Sequence, residues 1–247
     1  MNSFIRWIGG KKLLRNKIVE MFPEGFERYI EVFGGAGWVL FHKERHAALE
    51  VFNDINSNLI NLYRCIKYHS EELQRELAGL FVSRVIFSDF QSQLKSSGLT
   101  DIQRAARYFY AIKTSFGGNA RSFSLDKRNL KAGTEYLSEI SDRLQNVVVE
   151  NKDFQNLIEV YDREKALFYL DPPYHASERY YSNPFSEADH ERLCAVLKNI
   201  KGNFVLSYND CEFARELYKD FNIRTVSRNH CLSSKQKEYK ELLITNY

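Results

Sequence analysis

Five short apolar runs, separated for the most part by segments of helical spacing, constrain this chain more tightly than any other feature. They are Tyr29-Ile30-Glu31-Val32, Ala48-Leu49-Glu50-Val51-Phe52, Asn146-Val147-Val148-Val149-Glu150, Ala166-Leu167-Phe168-Tyr169-Leu170 and Asn203-Phe204-Val205-Leu206-Ser207-Tyr208. Each has the length and the β-branched or aromatic content of a buried strand. Between most of them apolar residues recur every three or four positions, as at Leu59, Ile60, Leu62, Tyr63 and Ile66, and at Leu193, Val196, Leu197 and Ile200. Strand, helix, strand closes as a parallel pair with the helix laid on the sheet, so the repeat predicts an α/β fold with a doubly wound, mostly parallel sheet. Residues 223–228 and 241–247 have no helical segment between them and predict an antiparallel C-terminal hairpin at the sheet edge.

The alternation breaks between residues 69 and 142, which hold no good strand and at least two helical stretches, including 102–114. The expected organisation is a core domain of residues 1–68 and 143–247 carrying an inserted, mainly helical subdomain, 69–142. Charge singles out the same interval. From Lys95 to Lys131 eight basic residues stand against two acidic ones, and from Arg224 to Lys240 five stand against one, in a chain of net charge only +3. Two basic segments on an otherwise acidic body suit a polyanion gripped at two places. No apolar run is long enough to span a bilayer, and no secretory leader is evident, which predicts a cytoplasmic protein. Cys65, Cys194, Cys211 and Cys231 are too scattered for a zinc or redox motif and are expected as free thiols. The pair His42 and His46 lacks a third ligand nearby in sequence and is expected at a solvated helix end, with no metal bound.

Two loops carry the chemistry. Phe33-Gly34-Gly35-Ala36-Gly37 follows the first strand and is expected to open an apolar helix near Trp38; glycines at such a turn let backbone approach a ligand closely. The second strand ends at Asn53-Asp54, with the carboxylate where doubly wound folds bind a ribose; the alternative is that Asp54 or Asn56 caps the next helix. Asp171-Pro172-Pro173-Tyr174 lies at the carboxyl end of a buried strand, the edge at which such sheets hold ligands. Its prolines stiffen the loop, so that a carboxylate and a carbonyl stand fixed to accept both hydrogens of an exocyclic amine, beside an aromatic face for a planar base. By chance the tetrapeptide should occur in roughly one chain of this length per thousand.

With these motifs in this order the chain resembles the Dam-type, α-group (D12 class) family of DNA N6-adenine methyltransferases. The likeness runs from Trp7-Ile8-Gly9-Gly10-Lys11 through Glu31-Val32-Phe33-Gly34-Gly35-Ala36-Gly37, Asn53-Asp54-Ile55-Asn56, Lys152-Asp153-Phe154 and Asp171-Pro172-Pro173-Tyr174 to the last seven residues, and is weakest in the insertion at residues 115–121. It implies S-adenosyl-L-methionine as cofactor and a Rossmann-like core. Trp7 and Lys11 would line the cofactor's methionine end, Phe33, Gly35 and Gly37 would bed it, Asp54 would bind the ribose, and Asp153 with Phe154 would hold the adenine. Asp171, Pro172, Pro173 and Tyr174 would form the catalytic loop, with Asp171 also facing the cofactor and Tyr174 stacking on an adenine flipped from double-stranded DNA. Within the basic insertion Arg121 and Arg128 are candidates for groove contacts, with Asn119, Lys113 and Lys127 as further DNA-binding residues. Cytosine N4, RNA adenine and a protein side-chain amide remain alternative targets, and an inactive DNA-binding homologue an alternative class. A cognate restriction endonuclease is a candidate partner, and a monomer or weak dimer on DNA the expected state.

Overall fold

Residues 166–170 alternate Ala, Leu, Phe, Tyr, Leu with every side chain buried, which requires a strand covered on both faces. A computed structural model of the chain describes residues 1–124, 129–175, 185–229 and 238–247, and among these seven strands form one sheet. In chain order the elements are α1 (Arg15–Val19), β1 (Arg28–Glu31), β2 (Leu49–Asn53), α2 (Ser57–Tyr68), α3 (Ser70–Leu77), α4 (Arg84–Leu94), α5 (Asp101–Lys113), α6 (Leu130–Glu135), α7 (Leu137–Leu144), β3 (Val147–Glu150), α8 (Phe154–Tyr161), β4 (Ala166–Leu170), α9 (Glu187–Leu197), β5 (Asn203–Asn209), α10 (Glu212–Leu217), β6 (Asn222–Asn229) and β7 (Glu238–Thr245). The sheet order is β3-β2-β1-β4-β5-β7-β6. Its first five strands are parallel, and β7 runs antiparallel between β5 and the edge strand β6. The mostly parallel sheet and its terminal hairpin are those the apolar runs predict.

Period-two alternation divides the core. Tyr29, Phe52, Leu167, Tyr169 and Val205 face one side, against helices of the N-terminal half. Ile30, Val51, Phe168, Leu170, Phe204, Leu206 and Tyr208 face the other, against residues of α8, α9 and α10. Helices α3 to α7 occupy the interval read as an insertion, and their buried residues, among them Leu73, Phe87, Phe109, Ile112 and Ile140, continue the first of these cores. Local signals start the helices where the sequence reading placed them. Asn56 caps α2 by accepting the Leu59 N–H, and capping boxes at Thr100 and Ser186 open α5 and α9.

Two local expectations fail. No α-helix begins near Trp38: Gly35 and Gly37 take φ of +50° and +65°, and the chain makes only a single tight turn at Leu40–His42. The left-handed glycines precede Trp38 and shape the loop, whereas the expected helix stops after one turn because Lys43 returns to extended backbone at φ −116° and ψ 159°. His46 is not at a solvated helix end either; its ring stacks 4.5 Å from Tyr29 and its Nε2 lies 2.8 Å from the Val39 carbonyl. Burial lowers its pKa to about 4. Among the described residues no cluster suits a metal ion, and Cys65, Cys194 and Cys211 are free thiols; Cys231 lies outside them.

Candidate active site

In this strand order the chain reverses direction across the sheet between β1 and β4, so the loops that follow these two strands diverge and leave a crevice at their carboxyl ends. The glycine loop follows β1 and the acidic loop follows β4. Both line one cavity of about 850 Å3, whose wall includes Trp7, Lys11, Phe33, Gly35, Asp54, Asp171 and Pro173 from the core, and Asn119 and Arg121 from the insertion. That volume lies within the range of roughly 300–1,000 Å3 usual for small-molecule sites.

The strand ends are locked together by one buried amide. Asn53 donates to the carbonyls of Val32 and Lys152 and accepts the Lys152 N–H, joining the carboxyl ends of β1, β2 and β3. Asp54, one residue on, accepts the N–H of Gly35 at 2.9 Å and that of Asn56 at 2.8 Å. It therefore shapes the glycine loop while facing the cavity, and burial raises its pKa. The cap on α2 is Asn56, not Asp54. Gly35 is required by space as well as by φ, because a Cβ there would stand 2.8 Å from the Trp7 ring. Gly37 points away from the cavity, toward Phe41 and Tyr63, and serves the turn.

At the acidic loop, Lys11 Nζ donates to both oxygens of Asp171 at 2.7 and 2.8 Å and to the Gly9 carbonyl, although 160 residues separate the pair. Oδ1 also accepts from Ser207 Oγ at 3.1 Å and from the Tyr174 hydroxyl at 3.4 Å. Among the described residues Oδ2 accepts from Lys11 alone and keeps acceptor capacity. The Tyr174 hydroxyl donates to Glu241 on β7 at 3.0 Å, and Lys11 lies 3.9 Å from the same carboxylate and 4.9 Å above the Tyr174 ring. Pro172 is buried and Pro173 lines the cavity.

Several residues join the site to which the sequence motifs assign no role. Glu31 is the last residue of β1, is 2% exposed, faces the cavity and accepts a hydrogen bond from Tyr29. Burial drives its pKa to about 8. Its signal in the sequence is a carboxylate between Ile30 and Val32, at the head of the segment that leads into the glycine loop. Ser207, Glu241 and Phe185 join the site through β5, β7 and the start of α9, and only the folded sheet brings them there.

Asp153 and Phe154 stand one layer behind the cavity wall. Asp153 caps α8 and is bound twice by Arg192, at 2.7 and 2.9 Å, which lowers its pKa. Phe154 packs 5.8 Å from Phe33 and 5.6 Å from Phe185, under the Arg192 guanidinium. In the insertion, Asn119 folds its side chain onto the N–H groups of Arg121 and Ser122, and Gln91 holds the carbonyls of Ala120 and Arg121. Phe116, in the same loop, is 73% exposed. Lys113 is turned inward, onto the Phe4 carbonyl. Lys127 and Arg128 lie outside the described residues.

A glycine loop and an acidic proline loop meeting at the switch point of a parallel sheet, closed by an antiparallel hairpin, define a class I methyltransferase fold. Comparison with known proteins narrows the class. Residues 7–230 match the family model described as D12 class N6 adenine-specific DNA methyltransferase. Similar proteins include the type II methyltransferase M1.LlaDCHI of Lactococcus lactis subsp. cremoris, 32% identical with 100% of this chain and 96% of the relative covered. M.MjaIII of Methanocaldococcus jannaschii is 27% identical over 100% and 99%, and the DNA adenine methylase of Haemophilus influenzae 26% identical over 97% and 92%. The chain belongs to the D12 class of N6 adenine-specific DNA methyltransferases, as its motifs implied. It methylates adenine at N6, with DNA as substrate, and requires a methyl donor.

Proposed function

We propose that the donor is S-adenosylmethionine and that the carboxylate of Asp171 makes the target nitrogen nucleophilic. The observation that carries this reading is the convergence of Asp171, Lys11 and the glycine loop on one cavity. The donor set fits the cofactor's chemistry. At neutral pH Glu31 is largely protonated, and beside it the Lys11 ammonium stands between two carboxylates, 2.7 Å from Asp171 and 3.9 Å from Glu241, so this corner of the site carries more negative than positive charge and suits a sulfonium cation. Asp54 offers acceptors for ribose hydroxyls, Phe33 and Trp7 offer apolar faces, and the space kept by Gly35 seats Trp7. Asp153 and Phe154 would complete the adenine end if Arg192 released the carboxylate.

Held there, the donor would supply a methyl group for N6, the carbon–sulfur bond breaking as the carbon–nitrogen bond forms. Asp171 Oδ2 accepts one amino hydrogen and the Pro172 carbonyl the other, which draws the nitrogen lone pair out of conjugation with the ring. The proton that N6 sheds is held at Asp171. Tyr174, fixed by its hydroxyl to Glu241, offers its ring to the base. An adenine within a duplex cannot reach this depth, so the base is flipped, and the exposed Phe116 can fill the gap it leaves. Residues 69–142 form the target-recognition subdomain, with Arg121 and Asn119 facing the DNA from the cavity rim; Lys113, Lys127 and Arg128 add positive charge to the segment.

The enzyme acts in the cytoplasm on double-stranded DNA as a monomer or weak dimer, with a cognate restriction endonuclease as its partner. The type II names of two relatives support the last point, and no helix among the described residues is long and apolar enough to cross a membrane. Transfer of label from S-adenosylmethionine to a DNA duplex, followed by nucleoside analysis, tests the reading. Label in N6-methyladenine is expected; label in N4-methylcytosine, or none with this donor, would overturn it.

A further inference from the structure

The loop from Asp171 to His175 is held at both ends by consecutive residues of β5. At its start, Ser207 Oγ has one hydrogen to share between Asp171 Oδ1 and the Leu170 carbonyl, at 3.1 and 3.3 Å. At its end, the Tyr208 hydroxyl accepts the backbone N–H of His175 at 2.7 Å. Neighbouring side chains of a strand point to opposite faces, so one grip comes from each side of the sheet. Ser207 shares the face of Tyr169, whose hydroxyl lies 3.1 Å from its Oγ. Tyr208 shares the face of Phe204 and Leu206.

Tyr208 is itself firmly set. It is completely buried, its ring lies 4.9 Å from that of Tyr174, and its hydroxyl stands 3.3 and 3.4 Å from the ring nitrogens of His190. His190 is also completely buried, edge-on to Phe185 at 4.6 Å and to Phe213 at 5.5 Å. The His175 ring stacks on the same Phe213 at 4.3 Å. Prolines fix φ at 172 and 173, so the freedom left in the loop lies largely at Tyr174 and His175. Those are the residues that Tyr208 touches.

We propose that Tyr208, buttressed by His190, is a positioning residue for methyl transfer: by holding the His175 N–H it fixes the angle at which Tyr174 and the Asp171 carboxylate meet the target amine. It contacts no reacting atom and acts through the loop alone. The inference rests on reading residues 171–174 as the reaction loop. An error of about 1 Å in such a loop can cost up to a hundredfold in rate while leaving binding almost untouched.

Tyr208→Phe removes one oxygen and keeps the ring. Single-turnover transfer from labelled S-adenosylmethionine to a duplex is compared for wild type, Tyr208→Phe and Asp171→Ala, with dissociation constants for duplex and cofactor measured alongside. The transfer rate of Tyr208→Phe should fall by about tenfold or more while both dissociation constants stay within about twofold. Exchange of the His175 amide hydrogen should quicken. A wild-type rate in Tyr208→Phe, or a rate loss matched by an equal loss of affinity, refutes the brace. An active Asp171→Ala refutes instead the reading of the loop. If Tyr208→Phe does not fold, wild-type exchange decides: a His175 amide as labile as unprotected backbone contradicts the proposal, and a protected one supports it.

Discussion

Replacing Glu31 with glutamine should change how stability depends on pH, by an amount that follows from burial. The carboxyl sits at the end of β1 with 2% of its surface exposed, and its pKa rises from an ordinary 4.5 to about 8. A group that holds its proton more tightly when folded contributes stability that is fully present below the unfolded value and lost as pH rises through the folded one. The window is therefore pH 4.5 to 8, and each unit within it costs about 1.4 kcal/mol. By pH 7 the wild type should have lost about 3 kcal/mol that the glutamine variant keeps, and at pH 8 and above about 5 kcal/mol. Glutamine retains an oxygen for the Tyr29 hydroxyl, which donates to Glu31 at 2.6 Å, so the variant isolates ionisation from packing. In thermal or urea unfolding at pH 5, 7 and 8.5, the two proteins should match at low pH and diverge upward, with Tm apart by roughly 6–12 °C at pH 7 for a chain of this size. A difference in stability that does not vary with pH would refute the reasoning.

Gly35→Ala forces an alanine into left-handed backbone, at about 1–2 kcal/mol, with its Cβ 2.8 Å from the Trp7 ring; donor KM should rise about tenfold with transfer from the bound complex less affected. Arg143→Met removes the partner of Glu50, a buried pair joined by two contacts of 2.8 Å, and the leftover buried carboxylate should lower stability by about 3–5 kcal/mol in urea unfolding. Arg121→Ala should weaken duplex binding by about tenfold. A fall of about one in the salt slope would mark a phosphate contact, and a loss confined to one base position would mark base reading.

What the sequence makes legible is what short-range pattern encodes. Strands covered on both faces read as continuous apolar runs, so β1 to β5 are found within a residue or two, and apolar spacing finds α2, α5 and α9. The loops of the site are legible because glycine and proline carry their backbone geometry with them. Contacts between distant segments are not written this way. Nothing near Lys11 announces that its ammonium closes on Asp171, nothing near Ser207 or Tyr208 distinguishes them from other strand residues, and Glu241, though it opens the C-terminal segment of the family likeness, has no role marked on it; the strand order places them around one loop. The missing helix after Trp38 shows the opposite failure, in which apolar spacing favours a helix and the chain returns to extended backbone at Lys43 after a single turn.

Asp171→Asn tests the central claim most directly, because it keeps the side chain's shape while removing the negative charge that pairs with Lys11 and replacing one acceptor oxygen with a donor amide. Single-turnover transfer to adenine in a duplex should fall by at least about a hundredfold while the duplex still binds with near-native affinity. An asparagine variant that methylates adenine at the wild-type rate would show that the carboxylate does not draw out the amino nitrogen.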